Sequence, residues 1–223
     1  MTMKVDELKG VIPEILLEVL KKEKVSKLRP CQEKALRKGL LNRRNMVVCT
    51  PTASGKTLVS EIAFVKNIVE GRGKALYIVP LKALANEKYN DFKKRYGQYF
   101  KIALSIGDLD SADSYLSEYD VVICTAEKLD SLIRHHAQWL RNVATVVIDE
   151  IHLLNDTERG PRLEIITTIL KQTVPNAQFI GLSATIGNPE ELAGWLNAEV
   201  IKDNWRPVKL KQGIYLNGEV EFK

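Results

Sequence analysis

What this sequence lacks narrows it first. Its 223 residues hold only three cysteines, Cys31, Cys49 and Cys124. They are odd in number and never spaced C-x-x-C, so neither a disulfide framework nor a zinc site is expected, and a reducing, cytoplasmic setting is the expectation. Histidine is equally scarce: three residues, two of them the adjacent His135 and His136. With no third ligand nearby, that pair reads as a helix-surface feature rather than a metal site. No run approaches the roughly 18 apolar residues of a membrane span. The opening stretch MTMKVDELKG has no apolar signal core. Internal repeats and low-complexity tracts are also missing.

A charge excess of one sign is confined to one place. The formal charge is +5, but residues 1–45 carry twelve Lys/Arg against six Asp/Glu, and the remainder twenty-one against twenty-two. Residues 46–223 therefore offer no polybasic surface that binds nucleic acid by counterion release alone; a few placed contacts would have to do it. What is present is ordinary: 45% hydrophobic and 27% charged residues, in a length suited to one large α/β domain or two small ones.

Short β-branched runs alternate with helical stretches. MVVCT (46–50), ALYIVP (75–80), KIALSI (101–106), DVVICT (120–125), ATVVIDE (144–150) and QFIGLSA (178–184) read as strands. They are continuously apolar, as parallel strands buried on both faces are. Between them, residues 55–71, 81–97, 126–140 and 160–173 read as helices, and such alternation implies a doubly wound, mostly parallel sheet with helices on both faces. Residues 13–24 set Ile15, Leu16, Val19 and Leu20 on one helical face, and a second short helix follows from Cys31. Near the end, Asn188 is placed to cap a helix with Glu191 at the capping-box position. Residues 208–216 then alternate as an edge or linker strand would. Tyr89, Phe92 and Tyr96 recur at helical spacing among Lys93, Lys94 and Arg95, which reads as a buried stripe beside a solvated basic face.

Two stretches carry chemistry. TPTASGKT (50–57) leaves a strand and opens a helix, the context of a phosphate-binding loop whose backbone N–H groups and helix N-terminus surround anionic oxygens. Lys56 would reach the β/γ-phosphates and the Thr57 hydroxyl would ligate Mg²⁺. The general pattern wants glycine where Thr50 stands. A second buried run ends in Asp149 and Glu150. Asp149 would supply a metal-side carboxylate, and Glu150 would orient and deprotonate a water.

Together P-T-A-S-G-K-T, D-E-I-H (149–152) and S-A-T (183–185) resemble the DExH-box helicases of superfamily 2. L-R-P-C-Q (28–32), V-P-L-K-A-L-A-N-E-K (79–88), G-D (107–108), T-A-E-K-L-D-S-L-I-R (125–134) and W-R-P-V-K-L (205–210) narrow the resemblance to the first RecA-like domain of archaeal Hjm-type, superkiller-like DNA helicases, over nearly the whole chain. The resemblance implies an ATP- and Mg²⁺-dependent motor that unwinds DNA from 3′ to 5′ at stalled or branched forks. It implies that Gln32 reads adenine beside Pro30 and that Thr52, Ala53, Ser54, Gly55, Lys56 and Thr57 hold the triphosphate. His152, Ser183 and Thr185 would couple nucleotide to strand movement. Pro80, Leu81, Lys82 and Ala83, with Thr125 and Lys128, would touch the nucleic-acid backbone from helix N-termini. Ala53 stands where many such helicases carry glycine.

The same resemblance divides the chain into a helical segment (1–45), a RecA-like ATP-binding domain (46–203) and the start of a linker (204–223). The family's second RecA-like, winged-helix and ratchet domains have no room here, so the sequence reads as a fragment expected to bind nucleotide without unwinding. Two alternatives stay open. A related RNA-remodelling ATPase shares D-E-I-H, and a self-contained P-loop kinase or switch would need an acceptor site or lid that no stretch provides.

Overall fold

Continuously apolar strands have to be covered on both faces, and that requirement shapes the fold. In the computed structural model, residues 3–107, 113–208, 211, 213–216 and 218–222 are described. Asp108 of the G-D pair, and Lys209 and Leu210 with part of the alternating 208–216 stretch, lie outside them. The helices are α1 (Glu14–Lys22), α2 (Pro30–Arg37), α3 (Lys56–Val69), α4 (Lys82–Tyr96), α5 (Ala126–Arg134), α6 (Gly160–Thr173) and α7 (Pro189–Leu196). The strands are β1 (Asn45–Cys49), β2 (Lys74–Val79), β3 (Ile102–Ser105), β4 (Val121–Thr125), β5 (Val143–Ile148), β6 (Gln178–Ser183) and β7 (Ala198–Lys202), with a hairpin of β8 (Gly213–Leu216) and β9 (Glu219–Phe222).

β1 to β7 form one all-parallel sheet in the order β3-β4-β2-β5-β6-β1-β7. This is the RecA-like arrangement expected. The side-chain period of two splits each strand between two cores. Met46, Val48, Tyr77, Ile123 and Ile180 face the core shared with α1 to α4. Val47, Ile78, Val122, Val146 and Phe179 face the core shared with α5 to α7. The N-terminal segment belongs to the first of these cores: Leu16, Val19 and Leu20 of α1 are fully buried there.

The sheet has one strand more than the six expected. β7 lies parallel to β1 at the edge, and its sequence AEVIK hides it because only Ile201 is buried while Lys202 points to solvent. The described end of the alternating stretch is β8, which pairs antiparallel with β9 and not with the main sheet. α5 stops at Arg134 and not at residue 140, because His136 adopts a left-handed φ of 53°. A 3₁₀ turn over Gln138–Asn142 then buries Trp139 and Leu140. His135 and His136 sit exposed at that helix end, as expected for a surface pair. At α7, Asn188 Nδ2 donates to the Glu191 carboxylate at 2.8 Å, a side-chain pair in place of the backbone capping box.

The aromatic stripe of α4 is interior. Phe92 and Tyr96 are buried and Tyr89 packs against the same core. Phe92 meets Tyr77 and Phe64 edge-on, with ring centroids 5.2 and 5.4 Å apart. Among the described residues no helix is long and apolar enough to cross a membrane.

Strand order brings the carboxyl ends of β1, β6, β5 and β2 side by side, with Cys49 opposite Ser183 and Ile148 opposite Gly181. Ligands of open parallel sheets sit at such carboxyl ends. Gly181 lets the turn that follows the two acids pack closely, because a Cβ on it would lie 3.0 Å from Ile151 Cδ1. Phe92→Ala removes the aromatic knob between α4 and β2 and should cost about 3–5 kcal/mol of stability, measured by denaturant unfolding.

Candidate active site

Residues 50–57 leave β1 and turn into α3 with two left-handed residues, Ala53 at φ +63° and Gly55 at φ +90°. Thr50 keeps an ordinary backbone, so glycine is not required there. It is fully buried, its hydroxyl lies 2.7 Å from that of Ser54, and its N–H donates to the Ser183 carbonyl. The threonine closes the loop with a side-chain bond. Left-handed backbone at Ala53 costs a non-glycine residue about 1–2 kcal/mol.

α2 holds the outer side of this loop. Arg29 Nη1 donates to the Ala53 carbonyl at 2.6 Å, the Cys31 thiol to that of Ser54 at 3.6 Å, and Gln32 Nε2 to that of Gly55 at 2.9 Å. The peptides are trans, so the N–H groups of Gly55 and Lys56 point opposite to those pinned carbonyls. Gln32 is only 3% exposed, and its Oε1 also accepts the Arg29 N–H at 2.8 Å. It is thus a clamp on the loop as well as a wall of the cleft.

Across the cleft β5 delivers the acids. Asp149 is 5% exposed; its Oδ2 accepts the Tyr77 hydroxyl at 2.9 Å and its Oδ1 the Glu150 N–H at 3.0 Å. Burial, then the adjacent Asp149 carboxylate, push the Tyr77 phenol well above its usual range, so Tyr77 stays a donor. Glu150 takes a left-handed φ of 51°, which turns its carboxylate back toward the loop. Buried Asp149 and half-buried Glu150, adjacent in the chain, need opposing cations, and two lysines supply them. Lys56 Nζ lies 3.7 Å from Glu150 Oε1, and Lys88 Nζ lies 3.9 Å from Asp149 Oδ2. Lys88 Nζ is also 3.4 Å from Thr57 Oγ1. His152 Nδ1 comes within 3.3 Å of Glu150 Oε2, outside hydrogen-bonding geometry.

These groups line one cleft of about 700 Å³, walled by Gln32, Lys56, Thr57, Lys88, Asp149 and Glu150, within the size range of nucleotide and cofactor sites. Among the described residues no cluster of three or more His, Cys, Asp or Glu could hold a metal alone. Thr57 and Asp149 offer two oxygens, which suits Mg²⁺, an ion bound through one or two protein groups and the substrate's phosphates.

The other anticipated residues divide. Ser183 is buried at the end of β6 and accepts the loop's Thr50 N–H through its carbonyl, while Thr185 is exposed. Leu81, Lys82 and Ala83 are exposed at an α4 N-terminus with no side-chain cap, and Pro80 is half-buried beside them. Thr125 and Lys128 are interior. Thr125 caps α5 by accepting the Lys128 N–H, and the Lys128 ammonium lies 2.9 Å from Asp113 Oδ2. Contact at α5 would therefore run through main chain and not through those two side chains. Sequence reasoning missed Tyr77, Lys88 and Arg29. Lys88 had a signal: it lies three residues after buried Ala85 and four before buried Phe92, on the inner face of α4.

A Gly-Lys-Thr loop between strand and helix, facing two strand-end acids across a parallel sheet, defines a RecA-like P-loop nucleotide site. Residues 29–192 match the model of the DEAD/DEAH box helicase family, and the chain belongs to that family. It is 53% identical over 218 residues to the ATP-dependent DNA helicase Hel308 of Pyrococcus horikoshii, covering 98% of this chain and 30% of the relative. It is 55% identical over 214 residues to Hel308 of Methanocaldococcus jannaschii, covering 93% and 18%. Its backbone is similar to a crystal structure of the DUF1998 helicase MrfA bound to DNA, with a TM-score of 0.73 at 28% identity, covering 86% of this chain and 30% of that one. The chain thus spans less than a third of the length of these relatives.

A Cβ on Gly55 would lie 2.6 Å from Gln32 Nε2 and 2.8 Å from Arg29 Cδ. Gly55→Ala should therefore lower stability by about 1–2 kcal/mol from the left-handed backbone alone. It should also weaken nucleotide binding, both read by thermal unfolding with and without ADP.

Proposed function

We propose that this chain is the nucleotide-binding motor domain of an ATP-dependent DNA helicase. The observation that carries the reading is the convergence of Lys56, Thr57, Asp149 and Glu150 on one cleft at the carboxyl ends of β1 and β5. Thr52 to Thr57 hold the triphosphate through backbone N–H groups, with Lys56 on the β/γ-phosphates. Thr57 and Asp149 would hold Mg²⁺, which would offset the charge of the phosphates. Glu150 orients the attacking water and takes its proton, and Gln32 reads adenine from the loop's outer wall. Ser183, Thr185 and His152 pass the change in nucleotide state to the strand grip. The uncapped N-terminus of α4 contacts a nucleic-acid phosphate through open N–H groups.

In this reading residues 1–45 carry the adenine contact, 46–203 form the motor domain and 204–223 begin the linker to a second RecA-like domain. The whole protein acts on stalled or branched forks. Hydrolysis draws an arginine from that second domain, a contribution on the order of 10³–10⁵ in rate for comparable phosphoryl transfer. The 223-residue chain should therefore bind Mg-nucleotide but turn it over slowly and not separate strands.

The test compares this chain with a longer one carrying both RecA-like domains. Calorimetry should show Mg-ADP binding that Lys56→Ala abolishes; equal affinity in wild type and variant would remove the loop assignment. In the longer chain, Glu150→Gln should bind ATP normally and lose at least about a hundredfold in turnover. Asp149→Asn should instead blunt the Mg²⁺ dependence of binding. Stimulation of turnover by single-stranded DNA and not by RNA of the same length is expected, and the reverse preference would move the protein to the RNA-remodelling branch.

A further inference from the structure

Lys88 belongs to neither the loop nor the acid pair, yet it occupies the most constrained point between them. It is carried by the inner face of α4, and its side chain is 13% exposed. Its Nζ stands 3.4 Å from Thr57 Oγ1 and 3.9 Å from Asp149 Oδ2. Those are the two oxygens assigned to Mg²⁺. The second lysine of the cleft, Lys56, faces Glu150 instead, at 3.7 Å. Asp149 therefore already has its own cation, fixed on a short tether and close to the position a divalent ion would take.

We propose that Lys88 is the tethered counter-ion of the metal position, excluding a divalent cation from Thr57 and Asp149 until a nucleotide's phosphates arrive. An ammonium within 4 Å of both oxygens and a divalent ion on the same oxygens repel one another in a partly buried cleft. One of them has to leave. Metal alone gains only two protein oxygens by evicting Lys88. Metal with a polyphosphate brings new oxygens of its own and gives the displaced ammonium an anionic partner. Lys88 thereby makes metal binding conditional on nucleotide. It also prevents Asp149, 5% exposed, from standing as an uncompensated buried charge.

Lys88 sits on the same helix whose exposed start, Leu81 to Ala83, is assigned to nucleic-acid contact. Lys88 lies six positions after Lys82 along the helix, a rise of about 9 Å. A rigid shift of α4 on binding a strand would therefore carry Lys88 with it. That places Lys88 as a positioning residue between the strand grip and the metal.

The inference rests on the nucleotide-site reading above, and the experiment separates the two. Mn²⁺ binding without nucleotide is titrated by electron paramagnetic resonance on wild type, Lys88→Met, Lys88→Arg and the double variant Lys88→Met/Asp149→Asn. Circular dichroism of each monitors folding. Lys88→Met should bind Mn²⁺ roughly tenfold more tightly than wild type, since it clears both oxygens and removes the like charge. Lys88→Arg, which keeps the charge, should match wild type, and the added Asp149→Asn should erase the gain. Unchanged Mn²⁺ affinity in Lys88→Met overturns the proposal, as does a gain shared by Lys88→Arg or one that survives Asp149→Asn. Mg-ADP binding to wild type and Lys56→Ala is measured on the same preparations. Equal affinity there removes the nucleotide site itself, a failure distinct from a silent Lys88→Met.

Discussion

A buried parallel strand that ends in two adjacent carboxylates sets the terms for the structure around it. Asp149 and Glu150 leave β5 where the sheet gives way to the cleft, and Asp149 is almost fully enclosed. A buried ion deprived of its partner destabilises a fold by about 3–5 kcal/mol. The cations that meet them, Lys56 and Lys88, come from the first turn of α3 and the middle of α4. Each helix is held by its own aromatic and aliphatic packing against β2, so the charges arrive on rigid supports. Tyr77 adds a phenol from β2 itself. Fold and site are thus two views of one constraint: the helices covering the sheet must also neutralise the acids at the carboxyl end of its central strand.

The first 45 residues answer a second need. A loop with left-handed backbone at Ala53 and Gly55 is stable only if its surroundings hold it there. Arg29, Cys31 and Gln32 do so by donating hydrogen bonds to three successive loop carbonyls. The Arg29 guanidinium also stands 5.5 Å over the Trp205 ring, and Lys34 pairs with Asp203 at 2.7 Å. Lys38 and Arg44 both reach Glu199 of β7. Three of the basic residues of this segment are therefore paired with two acids near the far end of the chain, Glu199 and Asp203. The segment is a clamp between the loop and the residues at and after β7.

The parts of this arrangement that could be read from sequence are those carried by continuous pattern. Six apolar runs became six parallel strands because only burial on both faces tolerates them. The 160–173 helix appeared with its expected bounds, and the α4 stripe went inward. Gly-Lys-Thr after one strand and Asp-Glu after another announced the cleft, since both sit where parallel strands end. What escaped was local or edge-bound. β7 carries a glutamate and a lysine because an edge strand faces solvent, and that breaks its apolar run. His136 ended α5 early through a left-handed residue with no glycine to announce it. Lys88 and Tyr77 stood in the sequence only as members of the 79–88 motif and of a strand run, and tertiary contact shows each turned toward Asp149.

In the proposed site, lysines and a metal nucleotide are alternative partners for the same two acids. A crystal structure of the chain grown with Mg²⁺ and a non-hydrolysable ATP analogue tests it most directly. Lys56 should be drawn from Glu150 to the phosphates, the metal should lie between Thr57 Oγ1 and Asp149, and the Lys88 ammonium should be displaced from both. A triphosphate bound elsewhere, or a metal seated with Lys88 still against Thr57 and Asp149, would contradict it.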